Sequence, residues 1–155
     1  MDLTHVDTDG SAVMVDVGEK EITKREAVAE GSISMSPECF AAVMSGNTKK
    51  GAVLNTARIA GIMAAKRTPE LIPLCHTLNL SKVQVDFSLQ PETCEVQTVC
   101  TVRCEAKTGA EMEALTGVAV ALLTVYDMCK AIDKNMKIGN VRLVKKNGGK
   151  SDKQL

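Results

Sequence analysis

Residues 114–129 read Ala-Leu-Thr-Gly-Val-Ala-Val-Ala-Leu-Leu-Thr-Val-Tyr-Asp-Met-Cys, and wound as a helix this stretch is apolar nearly all round. A helix with no solvated face has to be covered on both sides. The expectation is a sheet of the same chain on one side and another subunit on the other. Thr108 stands where an N-cap belongs, and Glu111 and Glu113 fall in the first turns, where the helix dipole favours negative charge. The helical pattern runs to about Asn135.

The covering sheet is legible too. Residues 82–89 and 94–104 alternate Val and Phe with polar residues, and the Gln-Pro-Glu-Thr turn at 90–93 joins them as an antiparallel hairpin. Residues 30–35 (Glu-Gly-Ser-Ile-Ser-Met) form a first strand. Ser36-Pro37-Glu38 then starts a helix that stops near Gly46. A second helix covers residues 51–67, with Leu54, Ala57, Ile59, Ala60, Ile62, Met63 and Ala64 mostly on one side, and ends before Pro69. Residues 138–144 supply a closing strand, and residues 148–155 are expected to be a flexible tail. After a less regular amino-terminal segment, the order βαββαβ predicts a ferredoxin-like α+β sandwich with an antiparallel sheet. Residues 1–155 suffice for one domain with a real core.

Charge and composition remove whole classes of function. Lys plus Arg (19) equals Asp plus Glu (19), so no global field draws the chain to DNA or to a membrane surface. Only Tyr126, Phe40 and Phe87 are aromatic, which leaves little for nucleic-acid bases to stack upon. The amino terminus has neither a basic nor an apolar leader region, and no uninterrupted apolar run reaches membrane-spanning length, so a cytoplasmic location is expected. The six cysteines follow no zinc pattern and read as small hydrophobes in a reducing compartment. Cys100 and Cys104 have the opening spacing of a radical iron–sulfur motif, but its third cysteine would fall at Lys107. No metal site is expected.

Several side chains stand out chemically. His76 sits where a helical pattern hands over to a strand pattern, a position suited to proton transfer or to a neutral imidazole in a polar niche. Lys49 and Lys50 lie just ahead of a helix amino terminus, where paired cations and free amide donors hold anions, although the surrounding residues make no P-loop. Asp127 and Lys130 are one turn apart, about 60° round the helix, so acid and base could meet one substrate. An ordinary i, i+3 surface pair is the competing reading. Their place after the most apolar stretch predicts partial desolvation, which draws a lysine toward neutrality.

Five segments together carry a far more specific signal: Ala-Arg-Ile-Ala-Gly-Ile-Met-Ala-Ala-Lys-Arg-Thr at 57–68, Leu-Ile-Pro-Leu-Cys-His at 71–76, Lys-Thr-Gly-Ala-Glu-Met-Glu-Ala-Leu-Thr at 107–116, Tyr-Asp-Met-Cys-Lys at 126–130 and Gly-Gly-Lys-Ser at 148–151. In these the chain resembles the molybdenum cofactor biosynthesis protein C family, the cyclic pyranopterin monophosphate synthases, from about Leu3 to Ser151. The resemblance implies a lyase acting on a GTP-derived cyclic triphosphate supplied by an upstream radical enzyme, with pyrophosphate released. It also implies homodimers building a homohexamer with sites at subunit boundaries. No cofactor is implied beyond magnesium accompanying the triphosphate.

Carried across position by position, the family's site residues are Lys50, Lys66, Arg67, His76, Glu111, Glu113, Asp127, Lys130 and Lys146, with Cys75, Thr77 and Met112 beside them as substrate contacts. The implied roles are proton transfer for Asp127 and Lys130, and phosphate binding for Lys50, Lys66, Arg67 and Lys146. His76 takes either role, and Glu111 and Glu113 grip the guanidine-like edge of the base. Many relatives place proline where this chain has Thr77, which frees a backbone N–H and leaves φ unfixed. The rival expectation is a non-catalytic ferredoxin-like regulatory domain that binds a nucleotide or another anion.

Overall fold

A computed structural model describes residues 3–46, 52–149 and 152–155. Alternation of apolar and polar residues builds its central sheet: β1 (Thr23–Ser34), β2 (Leu80–Gln90), β3 (Glu95–Ala106) and β4 (Lys137–Asn147), with a two-residue β5 (Lys153–Gln154). On β3 the residues buried under the helices are Val96, Thr98, Cys100, Val102 and Cys104, every second position, as one packed face requires. The strand order is β2-β3-β1-β4-β5, with antiparallel pairing throughout. This is the α+β ferredoxin-like arrangement expected from the sequence.

Strand β1 begins at Thr23 rather than Glu30, because its first half pairs with the far end of β3, Thr23 facing Ala106. The last described residues return to β4. Asp152 accepts from the Gly148 N–H, Lys153–Gln154 pair with Lys145 and Lys146, and the Leu155 N–H donates to Val144 O at 2.9 Å.

The helices α1 (Pro37–Ser45), α2 (Val53–Lys66), α3 (Thr68–Leu71) and α4 (Glu111–Cys129) complete the layer. Ser36 caps α1 by accepting from the Cys39 N–H, Pro37 stands in its first turn, and Gly46 closes it at φ 68°. Pro69, expected only to end α2, opens the short extra helix α3, where the lost N–H costs nothing.

Helix α4 differs from expectation at both ends. Thr108 does not cap it: Ala110 is the N-cap, and no side chain bonds there. The helix stops at Cys129, not near Asn135. Beyond it the chain is drawn back toward β1 by Asp133, whose carboxylate accepts the N–H groups of Ser36 and Asn135, each at 2.8 Å.

Helix α4 is long and apolar enough to cross a membrane by length and composition, yet it is packed as a core helix against the sheet and α2. Ala114, Val118, Ala121, Leu122 and Val125 are fully buried, each large one contributing about 1.5–3 kcal/mol of apolar transfer. Its crossing with α2 is very close: a Cβ on Gly61 would stand 2.8 Å from the carbonyl oxygen of Gly117. The sheet and α2 do not cover it completely. Leu123 is 57% exposed, and on α2 Ile59 and Met63 are exposed as well.

Candidate active site

Two adjoining hollows form a cleft between the amino-terminal arm, the loop after α3, the start of α4 and the ends of β1 and β4. The smaller, about 280 Å³, is bounded by Val15, Cys75, His76, Glu111 and Met112. The larger, about 500 Å³, is bounded by Arg25, Lys146 and Gly149. Lys20, Thr108 and Gly109 line both and join them. Their volumes suit a small-molecule ligand of nucleotide size.

The arm is fastened through its own backbone. His76 Nε2 lies 2.7 Å from Val15 O, and the Lys107 ammonium donates to Gly18 O at 2.7 Å. Opposite, Glu111 in the first turn of α4 pairs with Lys146 on β4. Glu111 folds back over Gly109, and any Cβ there would collide with its carboxylate oxygens. Thus Thr108 and Gly109 serve as wall and clearance rather than as a helix cap.

Glu113 is placed differently from Glu111. It is 1% exposed and does not line either hollow. Cys75 Sγ donates to its Oε1 at 3.7 Å, while Oε2 has no hydrogen-bond partner among the described residues. Burial raises the Glu113 carboxyl above the ordinary glutamate range, with the neighbouring Glu111 adding to the effect. The expectation that both glutamates grip a base edge therefore meets only one carboxylate at the cleft. Burial also pushes the Cys75 thiol up to about 11 and those of Cys39 and Cys100 up to about 12. None of the six cysteines is in a disulfide.

Asp127 and Lys130 lie at the other end of α4. Fourteen residues separate Glu113 from Asp127, about 21 Å along the axis. Their ion pair is 2.7 Å long, with side chains 62% and 53% exposed in the single chain. The expected desolvation is absent in the single chain, because both side chains lie on the open side of a turn whose other side, Val125 and Cys129, is buried. Asp127 acts in the opposite sense to that expectation: its hydrogen bond and charge hold Lys130 above the ordinary lysine range.

The remaining expected residues scatter. Lys66 and Arg67 are exposed at the end of α2, and Lys66 borders a separate hollow with Asn79 and Lys82. Thr77 is exposed beside His76. Lys49, Lys50, Lys150 and Ser151 lie outside the described residues. The structure thus gathers Cys75, His76, Glu111, Met112 and Lys146 at one cleft, sets Glu113 behind it, and leaves Asp127, Lys130, Lys66 and Arg67 elsewhere in the single chain.

Sequence reasoning missed Lys20 and Arg25. Arg25 donates from Nε to Ala106 O at 2.9 Å and from Nη2 to Lys107 O at 3.1 Å, bracing the turn into α4. Gly149 packs against it, its Cβ position 2.5 Å from Nη1. Nothing in the residue spacing flags either side chain. Among the described residues no group of three or more His, Cys, Asp or Glu side chains is placed to hold a metal ion.

The model of the MoaC family matches residues 14–149. The cyclic pyranopterin monophosphate synthase of Roseiflexus sp. (strain RS-1) is 61% identical over 150 residues, 97% of this chain and 95% of the relative. That of Chloroflexus aurantiacus is 57% identical over 150 residues, covering 97% and 92%. That of Pelotomaculum thermopropionicum is 57% identical over 149 residues, covering 96% and 88%.

Proposed function

This chain belongs to the MoaC family, and on that premise we propose that it is a lyase of molybdenum cofactor biosynthesis, converting a GTP-derived cyclic triphosphate into cyclic pyranopterin monophosphate with release of pyrophosphate. The observation that carries the reading is the convergence of Cys75, His76, Glu111, Met112 and Lys146 on one cleft of nucleotide size in a chain so similar to named synthases. The rival reading, a non-catalytic anion-binding domain, is not favoured by relatives matched over nearly their whole length.

The chemistry asks for donors, acceptors and cations. Opening and reclosing the purine-derived ring needs positioned acid and base groups. The cyclic phosphate forms when a ribose hydroxyl attacks the α-phosphorus and pyrophosphate departs, with cations neutralising the developing charge. Lys146, Lys50, Lys66 and Arg67 supply positive charge, Asp127 and Lys130 exchange protons, Glu111 accepts N–H donors of the base, and Cys75, Thr77 and Met112 contact the ring. His76 fits either the proton or the phosphate role.

With Asp127 about 24 Å from Glu111 along α4, the site is completed by a second subunit. The exposed Leu123, Ile59 and Met63 give an apolar face for such pairing in a homodimer that builds a homohexamer. The protein works in the cytoplasm, downstream of a radical enzyme that cyclises GTP. No resident cofactor is needed, and any magnesium ion is anchored by the substrate's own phosphates. Incubating the purified chain with the cyclised dihydro-GTP, with and without magnesium, tests the reading: pyrophosphate and cyclic pyranopterin monophosphate are expected, and failure to form either sinks it.

A further inference from the structure

Behind the smaller hollow the fold buries a carboxyl group that it does not neutralise with charge. Glu113 is 1% exposed. An ionised carboxylate offers about four lone-pair sites, and leaving them unmet in a buried place is costly. Here Oε1 accepts from the Cys75 thiol at 3.7 Å, a weak donor, and Oε2 has no partner among the described residues.

The charged groups around it offer no relief. From its own helix comes Glu111, a second carboxylate, and from β3 and the loop after α3 come the thiols of Cys104 and Cys75. Lys146 on β4 is engaged with Glu111, and Arg25 on β1 with the carbonyls of Ala106 and Lys107.

We propose that burial without a counter-charge keeps Glu113 as a neutral carboxylic acid and that Cys75 is a positioning residue for it, turning Oε1 to the thiol and leaving the acid hydrogen on Oε2, so that the wall of the hollow at Cys75 carries no charge. Cys75 lines the hollow and Glu113 does not, so Glu113 acts on a bound ligand through Cys75. Burial pushes the thiol up to about 11, so it keeps the hydrogen it donates. A neutral wall accepts the uncharged ring portion of a ligand whose anionic portion lies toward Lys146, Arg25 and Lys20. That consequence for catalysis rests on the function proposed above. The protonation state does not, and it is measured without substrate.

Infrared difference spectra between wild type and Glu113→Gln at neutral pH test the proposal. The carbonyl stretch of a protonated carboxyl group is expected in the wild type and absent from the variant. Cys75→Ala, which removes the donor to Oε1, should raise its frequency, and Cys75→Ser should bring it back toward the wild-type position. Should Glu113→Gln fail to fold, the shift between wild type and Cys75→Ala decides the matter alone. Finding only ionised carboxylate bands at neutral pH, or a protonated band that Cys75→Ala leaves unmoved, overturns the proposal. In turnover, Cys75→Ala should slow pyrophosphate release by about 2- to 10-fold, the worth of one modest hydrogen bond, with Cys75→Ser recovering most of it. If the bands move as stated but no pyrophosphate forms, the proposed reaction fails and the assignment of Glu113 stands.

Discussion

His76 Nε2 meets the carbonyl oxygen of Val15 at 2.7 Å across a sequence separation of 61 residues. A carbonyl only accepts, so Nε2 carries the hydrogen of this bond. The bond reads the backbone of the arm, not its side chains. His76→Ala should therefore loosen the arm by about 0.5–1.5 kcal/mol. Hydrogen exchange at the bonded amides of Val13 and Lys20 should speed up several-fold, while exchange in β1 and β3 stays unchanged. Equal rates at those two amides would show that the latch contributes nothing.

Gly109→Ala should separate activity from stability. The added methyl displaces the Glu111 carboxylate from Lys146, but the obstructing atoms end a flexible side chain, so the fold survives. Turnover with the cyclic triphosphate should fall about 10- to 100-fold, the scale of a lost charged hydrogen bond, with the melting temperature nearly unchanged. Normal turnover would mean that the Glu111–Lys146 pair is incidental.

The Asp127–Lys130 pair is exposed, so removing it should leave the fold alone. Asp127→Asn and Lys130→Ala should each cut turnover by about 10²- to 10⁴-fold, as losses of a positioned acid or base do. Since Asp127 holds Lys130 above the ordinary lysine range, Lys130 remains a cation throughout neutral pH. Near-normal rates in both variants would make the pair structural.

Glu113 sets a pH dependence of stability whose sign follows from its raised pKa. Above the ordinary glutamate range the unfolded chain has released the proton that the folded chain still holds, so each step up in pH favours unfolding until the folded carboxyl also ionises. Glu113→Gln removes that slope. Urea titrations from the ordinary glutamate range up to neutral pH should show wild-type stability falling relative to the variant, and parallel curves would contradict the burial argument.

Subunit sharing is checked by mixing. Glu111 and Asp127 are 16 positions apart on one helix, about 24 Å, too far to touch one reacting ring. Glu111→Ala and Asp127→Ala proteins, each inactive, should on dissociation and reassembly recover about a quarter of wild-type activity if dimers pair at random and one site of each hybrid escapes both lesions. Inactive mixtures with demonstrated hybrids would assign both residues to one subunit's site.

What could be read from the sequence followed from short-range physics. The β2–β3 hairpin announced itself through two-residue alternation and a Pro-containing turn, and α1 through Ser36 and Pro37. The overlong α4 came from extending a helical pattern past Cys129, where a contact invisible to periodicity, Asp133 with Ser36 across 97 positions, ends it. The site divides in the same way. His76, Glu111 and Lys146 were named from motifs, but the burial of Glu113 and the exposure of Asp127 depend on which turns of α4 the sheet and α2 cover. Lys20 and Arg25 belong to no motif, and only the folded arm and strand bring them to the cleft.

At the Gly61–Gly117 crossing the two helices meet backbone to backbone, with no side chain between them to deform. Packed side chains act as a cushion that lets helices slide past one another; without that cushion, α2 and α4 form a single strut. At that point only a hydrogen atom fits on either glycine, so any larger side chain has to push α2 and α4 apart and shift the Lys66–Arg67 end of one helix against the Asp127–Lys130 end of the other.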